Sequence, residues 1–167
     1  MSAEARRQVT IEVNGEKRSL LIPAHQLLLD TLRDELGAYE VRYGCGEGVC
    51  GTCTVLLDGE PVSSCLVLSA EVRGRRVTTV RGLAAGDDGL HGLQRAFLAH
   101  GAAQCGFCTP AMLLTLDAAI ESGARSRDDL RTAISGNLCR CTGYGAILDS
   151  AEAFVREQRE LPATGSR

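Results

Sequence analysis

The alternation of polar and apolar positions predicts strands in the first half of the chain. Between the first two strands stands Asn14-Gly15, a dipeptide typical of a tight β-hairpin turn. From Gln26 to Gly37 the leucines recur at helical spacing instead, so this segment is predicted to be a helix. The alternating segments are residues 8–13, 18–22, 54–57 and 76–80. Together these patterns predict a mixed sheet that carries one helix.

The second half of the chain lacks this alternation and shows helical spacing. Its predicted helices cover residues 93–100, 110–122, 126–134 and 146–159. Thr109 is expected to be the N-cap in front of Pro110. Ser126 and Asp129 show the pattern of a capping box, and Leu98 is expected to face inward. Four short helices predict a small bundle.

A change in pattern near residues 82–92 separates the two halves. Within it, the run Gly-Asp-Asp-Gly at residues 86–89 is typical of a loop. We therefore expect one domain over residues 1–82 and a second over residues 83–160. Residues 161–167 are expected to form a disordered tail.

Four of the eight cysteines lie in the first half and have the spacing of a known metal site. They are Cys45, Cys50, Cys53 and Cys65, of which the first three follow the pattern C-x4-C-x2-C. Plant-type ferredoxins hold a [2Fe-2S] cluster with four thiolates at this spacing. Structural zinc sites take cysteines in closer pairs. The glycines among these cysteines allow the tight backbone curl that such a site needs.

The other four cysteines lie in the helical half, as a C-x2-C pair and a C-x-C pair. They are Cys105, Cys108, Cys139 and Cys141. Each pair precedes a predicted helix, whose free N–H groups and positive dipole end suit thiolate ligands. The spacing alone admits either structural zinc or a second iron–sulfur centre. A first centre in the same chain favours the second, because two redox centres form an electron path.

Composition and charge exclude several classes of function. The formal net charge of −3 and the pI of about 5.6 argue against nucleic-acid binding. No apolar run has the length of a transmembrane helix, and residues 1–8 lack the apolar core of a secretory signal. A cytoplasmic location is therefore expected, and the cysteines indicate metal binding rather than disulfides. No nucleophile–base pair, phosphate loop or carboxylate dyad stands out, so substrate chemistry is expected elsewhere.

Three blocks of the sequence resemble those of the xanthine-oxidase (molybdenum hydroxylase) family, in particular its separate small iron–sulfur subunit. The blocks are Gly44–Val55, Gln104–Pro110 and Gly136–Tyr144, in the same order and at the same spacings. One departure is Ala111, where the family usually has glycine. The resemblance implies an α+β chain, with an N-terminal β-grasp domain of the plant-type ferredoxin kind followed by a C-terminal four-helix domain. Each domain is implied to hold one [2Fe-2S] cluster.

The resemblance also implies partners and further cofactors. A large subunit would carry the molybdenum–molybdopterin cofactor, in plain or cytosine dinucleotide form, and a medium subunit would carry FAD. The complex would be a dimer of heterotrimers. Electrons would pass from the molybdenum centre to the Cys105 set, then to the Cys45 set, and then to FAD. Gln104 is implied to hydrogen-bond the pterin, and Cys141 to lie against the pterin amino group.

Two other classes of function stay open at this point. A free-standing electron carrier would have the same cysteines but would purify as a monomer. A zinc-stabilised interaction module would contain zinc and no acid-labile sulfide. The resemblance favours the electron-transfer subunit of a heteromeric molybdenum-dependent oxidoreductase over both.

Overall fold

The computed structural model describes residues 5–84 and 89–160, and its strands form one mixed sheet. The strands are β1 Arg6–Val13, β2 Glu16–Pro23, β3 Thr54–Leu57, β4 Glu60–Ser63 and β5 Arg76–Thr78. Their order across the sheet is β2-β1-β5-β3-β4. β1 and β5 are parallel, and the other neighbouring pairs are antiparallel. The prediction of a mixed sheet in the first half is confirmed.

Local sequence explains most of the strand boundaries. Asn14 and Gly15 both have positive φ, 51° and 84°, as a two-residue hairpin turn requires. The sequence pattern does not predict β4, which contains Pro61 and lies at the sheet edge, where proline is tolerated. β5 ends at Thr78, earlier than predicted, because Val80 begins a 3₁₀-helical turn.

The predicted helices are all present, with small shifts at their ends. They are α1 Leu28–Asp30, which continues as a π-helical turn over Thr31–Glu35, α2 Gly92–Ala99, α3 Thr109–Glu121, α4 Arg127–Ala133 and α5 Gly145–Glu160. Short 3₁₀-helical turns cover Ser64–Leu66, Ser69–Val72, Val80–Leu83 and Ile134–Gly136.

Two predictions about helix ends have different outcomes. The capping box of α4 is confirmed, since the Ser126 side chain accepts from Asp129 N–H and the Asp129 carboxylate accepts from Ser126 N–H. The prediction of Thr109 as an N-cap is wrong by one residue. Thr109 is the first residue of α3, and Cys108 occupies the N-cap position without a side-chain capping bond.

The described segments contain two hydrophobic cores, one under the sheet and one among the helices. β3 contributes to both, because Val55 and Leu57 face the first core and Leu56 faces the second. The inward prediction for Leu98 is wrong, since its side chain is 70% exposed. The buried residues of α2 are Leu93 and Phe97, four positions apart on one face.

The predicted loop and tail extend beyond the described residues. Residues 86–88 of the predicted loop and the tail over 161–167 lie outside the described residues. The domain limits of 1–82 and 83–160 stay predictions. Among the helices of the described segments, none is long and apolar enough to cross a membrane.

Candidate metal centres

The first cysteine set lies on a loop that curls around its own sulfur atoms. This loop runs between α1 and β3 and carries three of the cysteines, while Cys65 lies in the 3₁₀-helical turn after β4. The backbone N–H groups of Glu47 and Cys50 donate to Cys45 Sγ at 3.3 and 3.4 Å. In return, Cys45 N–H donates to Cys50 Sγ at 3.4 Å. The loop therefore directs N–H groups at sulfur, which stabilises thiolates.

Gly44 shows why this loop needs glycine. A Cβ atom at Gly44 would lie 2.4 Å from Thr52 Oγ1 and 2.7 Å from Cys50 Sγ. The Thr52 hydroxyl itself lies 3.2 Å from Cys50 Sγ and adds a polar contact to that sulfur. A larger residue at position 44 would therefore displace a candidate ligand.

The thiols of the first set differ in acidity because their surroundings differ. Hydrogen bonds to Cys45 Sγ, first of all from Glu47 N–H, lower the pKa of Cys45 to about 6. Burial of the Cys65 side chain, together with the neighbouring Cys53 thiol, raises the pKa of Cys65 to about 11. The fold therefore favours the thiolate form at Cys45 more than at Cys65.

The second cysteine set lies at the starts of two helices. Cys108 precedes α3, and Cys139 and Cys141 lie in the loop before α5. Cys139 N–H donates to the Tyr144 hydroxyl at 2.9 Å, and the Thr142 hydroxyl lies 3.1 Å from Cys139 Sγ. The expectation that helix starts place these cysteines is confirmed.

Acidity varies within the second set as it does within the first. The Phe107 N–H, followed by the Cys141 thiol, lowers the pKa of Cys105. Burial of Cys108, together with its contact with the Cys139 thiol, raises the pKa of Cys108 to about 12. Each set therefore combines an exposed or half-buried thiol of lowered pKa with a buried thiol of raised pKa.

In both sets the thiols approach one another in pairs. Cys105 and Cys141 have their sulfurs 3.5 Å apart. Backbone N–H groups of Cys45 and Cys50 donate to each other's sulfur at 3.4 Å. The Cys53 thiol is close enough to Cys65, and the Cys139 thiol to Cys108, to raise the pKa of each. Within residues 5–84 and 89–160, no three His, Cys, Asp or Glu side chains converge closely enough to hold a single metal ion. Two pairs of thiols in each set match a two-iron core, in which each iron takes two thiolates.

The residues expected to meet the pterin lie at the surface beside the second set. Gln104, Cys105 and Cys141 are all exposed. Ala111, the departure from the family pattern, is only 1% exposed and belongs to the helical core. Its methyl group is therefore accommodated inside the bundle rather than at this surface.

Comparisons with known proteins agree with this arrangement. Residues 11–84 match the "2Fe-2S iron-sulfur cluster binding domain", and residues 79–152 match the "[2Fe-2S] binding domain". The chain is 46% identical to the 6-hydroxypseudooxynicotine dehydrogenase complex subunit beta of Paenarthrobacter nicotinovorans, over 88% of this chain and 93% of that protein. This chain belongs to the family of small iron–sulfur subunits of molybdenum hydroxylases.

Further relatives of this small iron–sulfur subunit extend the comparison. It is 43% identical to the nicotinate dehydrogenase small FeS subunit of Eubacterium barkeri, over 81% of this chain and 87% of that protein. Its structure superposes on quinoline 2-oxidoreductase from Pseudomonas putida 86 with a TM-score of 0.86 at 41% identity, covering 92% of this chain and 96% of that one. The predicted α+β fold, β-grasp ferredoxin domain before helical domain, is confirmed.

These matches also decide what kind of group the subunit binds. Each half of the iron–sulfur subunit matches a [2Fe-2S]-binding domain, so the subunit binds [2Fe-2S] clusters. The zinc alternative for the helical half has no such support. The subunit is the iron–sulfur component of a molybdenum-dependent oxidoreductase.

The sequence pattern misses several polar residues around the cysteines of this iron–sulfur subunit. Thr52 and Thr142 each follow a cysteine closely, and that proximity is the signal that could have found them. The Tyr144 hydroxyl accepts from Cys139 N–H and donates to Asn137 O. Asn137 itself is buried against the first cysteine loop, a long-range contact that no local pattern indicates.

Proposed function

We propose that two [2Fe-2S] clusters are held by two sets of four cysteines in this subunit. Cys45, Cys50, Cys53 and Cys65 hold the first cluster, and Cys105, Cys108, Cys139 and Cys141 hold the second. The observation that carries this assignment is the 3.5 Å approach of the Cys105 and Cys141 sulfurs from distant parts of the chain. The N–H to Sγ bonds that link Cys45 and Cys50 support it for the first set. When bound, each cluster accepts and donates one electron at a time.

The subunit relays electrons between two other centres. We place the molybdenum–pterin centre of a large subunit next to the second set, and the FAD of a medium subunit next to the first. The relay therefore enters at the Cys105 set and leaves from the Cys45 set. The exposure of Cys105 and Cys141 supports this entry point, because a partner cofactor can approach them closely.

The protein contributes hydrogen bonds and shielding to this relay. Backbone N–H groups that donate hydrogen bonds to sulfur stabilise the reduced, more negative state of a cluster and so raise its reduction potential. Burial of Cys53, Cys65 and Cys108 keeps water away from one side of each centre. Each cluster site is thus exposed on the side that faces a partner and buried on the side that faces the hydrophobic core.

Gln104 and Cys141 form the contact with the pterin. The Gln104 amide can both donate and accept, which suits the mixed donors and acceptors of a pterin edge. Both residues are exposed on the side of the second set. The pterin is molybdopterin or its cytosine dinucleotide, and it belongs to the large subunit.

Exposed apolar side chains near each cysteine set provide surfaces for the partners. Tyr43, Val49 and Leu66 are 57%, 65% and 62% exposed around the first set. Phe107 and Leu138 are 43% and 52% exposed beside the second. Large apolar side chains left in water near a functional site mark interfaces. The medium subunit covers the first group and the large subunit the second, in a cytoplasmic complex that is a dimer of heterotrimers.

Metal analysis of the anaerobically purified chain tests the assignment. The expected result is about four irons and about four acid-labile sulfides per chain, with two distinct [2Fe-2S] EPR signals after reduction. Zinc without sulfide, or a single EPR signal in fully loaded protein, contradicts the proposal. Co-purification of a flavin-containing and a molybdenum-containing chain tests the partners, and an isolated monomer in the native host extract contradicts them.

A further inference from the structure

The two cysteine-bearing loops meet at one junction, between residues 50–51 and residues 136–138. Leu138 N–H donates to the Cys50 carbonyl at 2.9 Å. The Asn137 side-chain amide donates to the neighbouring Gly51 carbonyl, also at 2.9 Å. Two consecutive residues of one loop therefore bind two consecutive carbonyls of the other.

The Asn137 side chain is buried, and its amide nitrogen is hydrogen-bonded within the junction. Asn137 is only 5% exposed. Besides the Gly51 carbonyl, its nitrogen lies 3.4 Å from Thr54 Oγ1. The Thr54 hydroxyl in turn donates to the Gly51 carbonyl at 2.7 Å. A buried, connected polar network of this kind fixes one geometry, because each displaced member leaves a partner unsatisfied.

Backbone packing at Gly51 is as tight as the hydrogen bonding. Gly51 has a φ of +66°, and a Cβ atom there would lie 2.4 Å from Gly136 O and 3.0 Å from the Asn137 Cα. Only glycine permits both this conformation and this approach. The two loops are therefore in direct backbone contact at the junction.

The junction lies within two residues of a cysteine from each set. On one side it contains Cys50, and on the other Asn137 is two residues before Cys139. A shift of one loop against the other would therefore change the separation and orientation of the two cysteine sets. Cys53 lies in the core under the sheet and Cys139 packs against the helical core, so the junction also couples those two cores.

We propose that Asn137 is a positioning residue for electron transfer between the two cysteine sets, an inference that rests on the proposed function. Its amide holds the loop of Cys139 against the loop of Cys50 at a constant distance. In the step it serves, one electron leaves the centre on the second set, which is oxidised, and enters the centre on the first set, which is reduced. No bond is formed or broken and no proton is transferred.

The experiment compares the full chain carrying both clusters with its Asn137→Ala variant after dithionite reduction. Two nearby paramagnetic centres split each other's EPR signals, and the splitting reports their separation and orientation. The expected result is loss of the wild-type splitting in Asn137→Ala at an unchanged iron content. In the same variant, redistribution of an electron injected by pulse radiolysis becomes slower than in the wild type.

Asn14→Gly is the matched control. Asn14 also joins two segments through its side-chain amide, which donates to Thr79 Oγ1 at 2.9 Å and accepts from Thr79 N–H at 2.8 Å. Glycine suits its positive φ of 51°. Wild-type splitting in Asn14→Gly is expected. Loss of the splitting in this control as well overturns the specific role of Asn137.

A second variant decides the case if Asn137→Ala loses iron. Thr54→Val removes the hydroxyl beside the Asn137 amide and leaves Asn137 in place. A changed splitting in Thr54→Val supports the proposal. The proposal is overturned if Asn137→Ala keeps its full iron content and shows wild-type splitting and electron redistribution. If Asn137→Ala loses iron, the same wild-type result in Thr54→Val overturns the proposal. The proposed function fails by a different observation, the absence of two EPR signals in the wild type.

Discussion

The Arg42 guanidinium lies over the Phe107 ring, with its central carbon 6.0 Å from the ring centroid. Arg42 stands three residues before Cys45, and Phe107 stands between Cys105 and Cys108. This cation–π contact therefore joins the segments that carry the first cysteines of both sets. It also brings the positive charge of Arg42 to the segment that carries Cys105 and Cys108.

Replacing Arg42 by glutamine is expected to lower the reduction potentials of the clusters. A cation stabilises the additional electron of a reduced cluster, so its removal favours the oxidised state. A lost charge interaction of about 1 kcal/mol corresponds to about 40 mV for a one-electron couple. EPR-monitored redox titration measures the shift.

Arg33→Gln is the control for this titration. The Arg33 guanidinium also lies over an aromatic ring, 5.5 Å from the Tyr39 centroid, but on the segment of α1. Its removal is expected to leave both potentials near the wild-type values. Equal shifts in the two variants would show that general surface charge, rather than the position of Arg42, sets the potentials.

Single Cys→Ser substitutions are expected to remove the clusters one set at a time. Cys53→Ser should abolish one EPR signal and Cys108→Ser the other, because each cluster needs all four thiolates. Iron content should fall from about four to about two per chain in each variant. Loss of both signals from either substitution would mean that the sets load as one unit rather than independently.

Substitutions on the two exposed apolar groups are expected to release different partners. Leu66→Glu places a charge near the first set and should weaken binding of the flavin-containing subunit. Leu138→Glu does the same near the second set and should weaken binding of the molybdenum-containing subunit. Pull-down of the complex with tagged variants measures each loss.

Leu21→Glu is the control for the docking predictions. Leu21 is 60% exposed, like the tested leucines, but it lies on β2 at the opposite edge of the sheet from β4. Full retention of both partners is expected. If Leu66→Glu and Leu138→Glu released the same partner, the assignment of one subunit to each surface would be wrong.

The capping box of α4 is expected to make stability depend on pH. Hydrogen bonds from the Ser126 N–H and hydroxyl, and from the Arg125 N–H, lower the pKa of Asp129. A carboxyl group whose pKa is lower in the folded state stabilises the fold above its ordinary pKa. That contribution is lost as the pH falls through the lowered value. Asp129→Asn should therefore lower Tm at pH 7, and the difference from wild type should shrink in acid.

Asp128→Asn provides the comparison for this thermal measurement. Asp128 also lies in the first turn of α4, but it is paired with Arg131 at the surface rather than with the helix start. Exposed pairs of this type contribute little, so a smaller Tm change is expected. Equal Tm changes in the two variants would assign the effect to helix charge instead of the capping box.

Local patterns predict most of the elements because they depend on neighbouring residues. The Asn14-Gly15 turn and the capping box at Ser126 are short-range signals, and both are confirmed. Leu98 shows the limit of such patterns. It follows Phe97 directly, so it points about a quarter turn away from the buried Leu93–Phe97 stripe and into water.

The cysteine spacing predicts two sets, but their internal geometry depends on contacts across the whole chain. Cys105 approaches Cys141 from 36 positions away, and Asn137 reaches Gly51 from 86 positions away. No periodicity encodes contacts of this range. Only the fold shows that the thiols come together in pairs and that the two loops share a hydrogen-bonded junction.

β3 has no solvent-facing side, since Val55 and Leu57 fill one core and Leu56 the other. The ferredoxin-like half and the helical half are consequently not interchangeable modules that could be recombined freely with other proteins. Either half produced alone would leave an apolar strip of this strand or of α3 uncovered and prone to self-association. The two halves therefore bury their apolar surfaces only when they pack together. Folding itself then fixes the distance between the two redox centres.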